Sequence, residues 1–167
     1  MSTDPCSDAV NQFLAKDFST WHGVPPHCTL AALAPVELGS DETVTVIGEG
    51  KAQAVYRRAQ AAAYAEPLTI WLRGGTVARI SVDLPALPDV PALLHALGPP
   101  DVKLDAWRAT VPVRSPESEW VWAARGLALV LSTDRSNVMQ LVVYPPTTVE
   151  TYRAQIRFDE APREQPM

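Results

Sequence analysis

The sequence predicts an α+β fold: an antiparallel sheet carrying a few short helices, built as two diverged helix-plus-antiparallel-strand repeats or as one continuous sheet. Three observations carry this. Leu127–Pro146 (LALVLSTDRSNVMQLVVYPP) reads as two apolar strands joined by a polar turn and stopped by Pro145-Pro146. Leu68–Pro85 (LTIWLRGGTVARISVDLP) has the same shape. Apolar residues at helical spacing are confined to short segments, each opened by a capping residue or closed by Gly and Pro.

The elements follow in order. Asp4-Pro5 is a helix start, and Val10, Phe13, Leu14 and Phe18 define an apolar face, predicting a helix over 5–17. Gly23 and Pro25-Pro26 keep Trp21–Cys28 (WHGVPPHC) irregular. Thr29 caps a short helix, with Leu30 and Leu33 facing inward. Thr43–Ile47 alternates β-branched residues and reads as a strand. The alanines of Ala52–Tyr64 favour helix, but its place between strands favours a strand over Ala54–Ala59.

In the first hairpin Leu68, Ile70 and Leu72 share one face, as do Ala78, Ile80, Val82 and Leu84. A two-residue Gly74-Gly75 turn would throw the two sets onto opposite faces of the sheet. A three-residue loop, Gly74-Gly75-Thr76, pairs Leu72 with Ala78 and Ile70 with Ile80, and is the expectation. Asp89 caps a helix with Leu93, Leu94 and Leu97 inward, ended by Gly98 and Pro99-Pro100. Val102–Val113 is extended, Arg114–Ser118 a loop, and Glu119–Ala123 a strand. The bulkier face switches between the two hairpins, so either one loop differs by a residue or the second hairpin, apolar on both sides, is buried on both faces, which is the expectation. Thr147 and Glu150 form a capping box for a last helix with Val149, Tyr152 and Ile156 on one face.

A chain of 167 residues with 47% hydrophobic and 20% charged residues is long enough to bury a core without staples. Its net charge of −5, with no basic run beyond Arg57-Arg58, excludes an electrostatic footprint for nucleic acid. No run approaches the ~20 apolar residues of a spanning helix, so no membrane partner is expected. The N-terminal MSTDPCSDAV lacks a secretion pattern. Cys6 and Cys28 can pair, but two cysteines make no disulfide framework. The expectation is a cytoplasmic protein with reduced thiols.

The halves resemble each other, with hairpins ending at Pro85 and Pro145 and helix-ending turns at Leu38-Gly39 and Leu97-Gly98. The expected organisation is an N-terminal helix and loop (1–28), a first repeat (29–88), a second repeat with the C-terminal helix (89–158) and a tail (159–167). The helix, Leu97-Gly98 turn with Pro100-Asp101, and following strands resemble the repeat of the beta-lactamase-inhibitor-protein and BamE/SmpA-like group. That resemblance implies tandem units of short helices on a small antiparallel sheet, and in the inhibitor family a sheet that faces a protein target. The chain departs from the group in lacking its secretion signal, lipoprotein cysteine and paired disulfides.

Two sets of residues invite a functional reading. Trp71 points opposite Ile70 and Leu72, among Arg73, Arg79 and Asp83 on the less apolar face of the first hairpin. Trp and Arg are favoured interface anchors, so this face is a candidate protein- or peptide-binding surface of an inhibitor, immunity or accessory module. It requires Trp71 to be exposed in the monomer or covered by a second copy. His22, His27 and Cys28 form the alternative, a small enzyme in which an imidazole activates a thiol. That spacing matches no compact metal pattern, so no metal is expected there. The glycines of Gly48-Glu49-Gly50 and Gly74-Gly75 open no helix, so no phosphate loop or other cofactor is expected. A homodimer through a sheet edge is a third reading.

Overall fold

The computed structural model describes residues 4–39, 42–45, 52–107 and 114–156. Among these residues eight strands form one antiparallel sheet in the order β1-β2-β3-β4-β8-β7-β6-β5. They are β1 (Glu42–Thr45), β2 (Ala52–Ala59), β3 (Leu68–Arg73), β4 (Thr76–Asp83), β5 (Val102–Trp107), β6 (Arg114–Trp122), β7 (Leu127–Leu131) and β8 (Val138–Val143). Three short helices accompany them: α1 (Pro5–Leu14), α2 (Val90–Leu97) and α3 (Val149–Thr151), the last continued by a π turn over Tyr152–Ile156. The two hairpins meet at the centre, where Ile80 pairs with Val143 and Val82 with Leu141. The α+β class follows directly from these elements.

Residue alternation gives the sheet two unlike faces. Leu68, Ile70, Ile80, Val82, Leu127, Leu129, Leu141 and Val143 form the larger core with Phe13, Phe18, Trp21 and Leu33. On the other face Val121, Ala128, Val142 and Tyr144 form a smaller core with Tyr152 and Ile156. The second hairpin is therefore buried on both sides, as its composition requires.

The first hairpin keeps the expected pairing of Ile70 with Ile80 and Leu68 with Val82. Its turn differs from expectation. Arg73 pairs with Thr76 and Leu72 with Val77, so the turn is two residues, Gly74-Gly75, with φ of 61° and 82°. Parity is restored by a bulge that leaves Ala78 as the extra residue, which lets a tight turn and a common apolar face coexist. The second hairpin has an equivalent irregularity, pairing Leu127 with Val143 but Leu131 with Val138.

Other boundaries shift for local reasons. α1 ends at Leu14, because Lys16 adopts φ 59° and closes the helix with its N–H on the Phe13 carbonyl. Thr29 caps a 3-10 turn, Leu30–Leu33. Ala52–Ala59 is a strand between β1 and β3, where ladder pairing overrides the helical preference of its alanines. Arg114–Ser118 belongs to β6 and is not a loop. Its pairing with β5 shifts register between Leu104 and Ala106, and the Asp105 carboxylate accepts the Glu117 N–H there. The cap of α3 is Thr148, not Thr147: its hydroxyl accepts the Thr151 N–H at 3.1 Å. The expected strand residues 46–47, the turn at 48–50, the extended residues 108–113 and the tail 159–167 lie outside the described residues.

The thiols are not reduced: Cys6 and Cys28 form a disulfide, with Cα atoms 5.6 Å apart. It ties the first turn of α1 to the residue whose carbonyl accepts the Val77 N–H at 2.7 Å. The irregular loop between them is pinned along its length. Trp21 Nε1 donates to the Gly126 carbonyl, Arg125 Nε donates to the Trp21 carbonyl, and Val24 N–H donates to the Tyr144 carbonyl. Gly23 is required there, since a Cβ would stand 2.6 Å from the ring of Pro146.

Candidate functional site

The pairing register brings Trp71 opposite Arg79 on neighbouring strands. Arg73 lies on the same face, two residues along β3. This face is not open. Trp71 is 4% exposed and Arg79 1%. The C-terminal segment crosses the face: both terminal nitrogens of Arg73 donate to Gln155, to its side chain at 2.7 Å and its backbone carbonyl at 3.4 Å. The expectation of an exposed Trp71 is thus corrected. Period-two alternation correctly assigned Trp71 to the more polar face, but it carries no information about what lies over that face. Asp83, at the end of β4, is exposed and accepts a hydrogen bond from Gln140 Nε2 at 3.0 Å.

Beneath the segment is a polar network that sequence reasoning missed. Tyr152 donates its hydroxyl to the Glu119 carboxylate, both groups fully buried or nearly so. Tyr144 stacks against Tyr152 with ring centroids 5.1 Å apart and donates to the Leu127 carbonyl at 3.0 Å. Burial, with the Glu119 charge adding to it, holds the Tyr152 phenol well above the usual tyrosine range, while Arg79 pulls the other way. Tyr144 is raised by the same two effects, burial first. The signal in the sequence was Glu119 at an inward position of a strand, a place where a carboxylate needs a partner.

The alternative set does not assemble. His22 and His27 are both exposed, His27 with φ 73°. Cys28 is buried with its sulfur bonded to Cys6, so it offers no thiolate. Among the described residues no group of three or more His, Cys, Asp or Glu side chains is placed to hold a metal ion. No helix among them is long and apolar enough to cross a membrane.

Two surface features remain. Leu84 was expected to continue the apolar face of β4. The strand ends at Asp83, Leu84 turns outward with φ 50°, and it is 57% exposed. The loop it opens, LPALPD, is held at several points. Leu84 N–H donates to the Met139 carbonyl at 2.8 Å, Lys16 Nζ donates to the Ala86 carbonyl at 3.1 Å, Pro85 is buried, and the Asp89 carboxylate caps α2. On β6 the Trp120 ring receives Lys103 Nζ at 4.3 Å and the Arg135 guanidinium at 5.6 Å from its centroid.

Comparison with protein-family models, curated proteins and solved structures finds no match.

Proposed function

We propose that the protein is a non-catalytic protein-binding module of inhibitor, immunity or accessory type. The observation that carries the reading is the presentation of Leu84. A bulky residue in the left-handed region is an outlier that the surrounding structure must impose. Here it holds an apolar side chain in water at the rim of a rigid sheet, on a loop already tethered to α1, β8 and α2. Such a preformed apolar knob loses little conformational freedom on entering a pocket of a partner. The strand order, two four-stranded meanders joined at β4 and β8, supports the further proposal of diverged repeats related to the beta-lactamase-inhibitor-protein group. The bonded cysteines favour an oxidising compartment over the cytoplasm as the place of action. An enzyme at His22, His27 and Cys28 has less support because the Cys28 sulfur is occupied.

The test is a capture from native-host extract with wild type and Leu84→Asp in parallel, followed by titration of the captured protein after purification. The expected result is binding by wild type and at least about tenfold weaker binding by Leu84→Asp. Equal binding by the two chains, both with the wild-type melting temperature, would remove Leu84 from the interface.

A further inference from the structure

Among the described residues β1 and β5 are the outer strands of the sheet, each paired with one neighbour. An outer strand offers a row of backbone N–H and C=O groups to any strand that approaches it. Natural edges are commonly blunted by lysine, proline or a bulge. β5 carries a lysine but balances it. It reads Val102-Lys103-Leu104-Asp105-Ala106, with opposite charges on either side of Leu104 and an apolar residue beyond each. Alternation puts Lys103 and Asp105 on one face, both exposed. Val102 and Leu104 lie on the other face, half-buried against the smaller core.

The extra residues of the β5–β6 ladder belong to β6. Leu104 pairs with Glu119 and Ala106 with Ser115, so the outer strand is the unbulged one. The C-terminal segment runs from Glu119 of β6 toward Arg73 of β3, away from β5. Both charges of β5 are already oriented. Lys103 Nζ lies 4.3 Å from the centroid of the Trp120 ring, which keeps the ammonium close to the sheet. Asp105 Oδ1 accepts the Glu117 N–H at 3.0 Å. Side chains ordered in advance lose less freedom when a partner arrives.

We propose that β5 pairs antiparallel with β5 of a second copy, about a two-fold axis at Leu104, joining the two sheets edge to edge. The contact is isologous, the same strand on both sides. It sets Lys103 of each copy opposite Asp105 of the other, Leu104 opposite Leu104, and Val102 opposite Ala106. Opposite charges directly across a strand pair attract, and the half-buried Val102 and Leu104 gain apolar cover. The charges also fix the register. A slip of two positions either way sets Lys103 against Lys103 or Asp105 against Asp105. The surface is separate from Leu84, and the inference goes beyond the reading of Leu84 as an anchor for another protein.

The test is sedimentation equilibrium of the full chain between about 10 µM and about 1 mM. The samples are wild type, Lys103→Asp, Asp105→Lys, an equimolar mixture of those two variants, and Leu84→Asp. Wild type and Leu84→Asp are expected to dimerise with the same dissociation constant, about 100 µM or below. Each single reversal opposes like charges at both ends of the contact and should weaken dimerisation at least about tenfold. In the mixture every charge again meets its opposite, so the two variants should associate with each other about as tightly as wild type with itself. A wild type that stays monomeric at about 1 mM overturns the proposal. So does a dimer unaffected by either reversal, one lost in Leu84→Asp, or a mixture no more associated than its components. If Asp105→Lys does not fold without its bond to Glu117, hydrogen exchange on wild type at the two ends of the concentration range decides. Amides of β5 that exchange more slowly in the concentrated sample, while those of β3 do not change, support the pairing, and β5 rates independent of concentration overturn it.

Discussion

Removing the Cys6–Cys28 bond tests the N-terminal architecture most directly. The bond spans a sequence separation of 22 residues. Closing a loop of that size removes about 3.4 kcal/mol of chain entropy from the unfolded state at room temperature. For a chain of 167 residues the unfolding entropy is about 0.35 kcal/mol per degree, so reduced wild type should melt about 10 °C below the oxidised chain. Cys28 sits in the core and Cys6 packs at its edge, so in the double variant Cys6→Ser/Cys28→Ser the buried hydroxyl at position 28 adds a loss of about 1–3 kcal/mol. Thermal melts of oxidised wild type, wild type in excess reductant and the double variant form the assay, with the double variant expected to melt at or below reduced wild type. Alkylation of the unreduced native protein should label no cysteine. Two alkylated thiols per chain, or a double variant melting within about 2 °C of oxidised wild type, would refute the argument.

Four further outcomes follow from the geometry. Gly126→Ala should cost about 3 kcal/mol or more, since its φ is 61° and the new Cβ would meet the Tyr144 carbonyl oxygen at 2.1 Å. Gly74→Ala shares the same φ but meets nothing within 4 Å, so denaturant titration should show a loss of only about 1–2 kcal/mol. Stability should fall as pH rises above about 10. Tyr64, Tyr144 and Tyr152 are all held above the ordinary tyrosine value, chiefly by burial, so the unfolded chain releases its phenolic protons first. Each contributes up to about 1.4 kcal/mol per pH unit, and urea titrations at about pH 9 and about pH 11 with phenolate absorbance will read it. The Asp134 carboxylate, which accepts from Ser136 and Ser132, titrates at about 2. Its stabilisation of the β7–β8 turn is present above the ordinary aspartate value and lost as pH falls through about 2, so an NMR titration in which Asp134 behaves as an ordinary aspartate would reject the turn geometry.

Local sequence by itself determined most of the strands, the caps at Asp4, Thr29 and Asp89, and the sidedness of the hairpins, but not the cap of α3 or the start of β6. Period-two alternation places a residue on a face whatever lies above it, so Leu68, Ile70, Ile80 and Val82 were legible as one core-facing set and Trp71 and Arg79 as the opposite one. Asp4, Thr29 and Asp89 were legible as caps because a side-chain oxygen can satisfy only the backbone N–H groups a few residues ahead. What covers a face, by contrast, is a long-range matter. Trp71 and Arg79 are buried although they lie on the more polar face, and the bonding of Cys6 to Cys28 depends on where α1 docks. The outward turn of Leu84 depends on the Met139 carbonyl of a strand paired from the other half of the chain. Those contacts exist only once β4 and β8 have met, because their energies come from packing between residues that no local period relates.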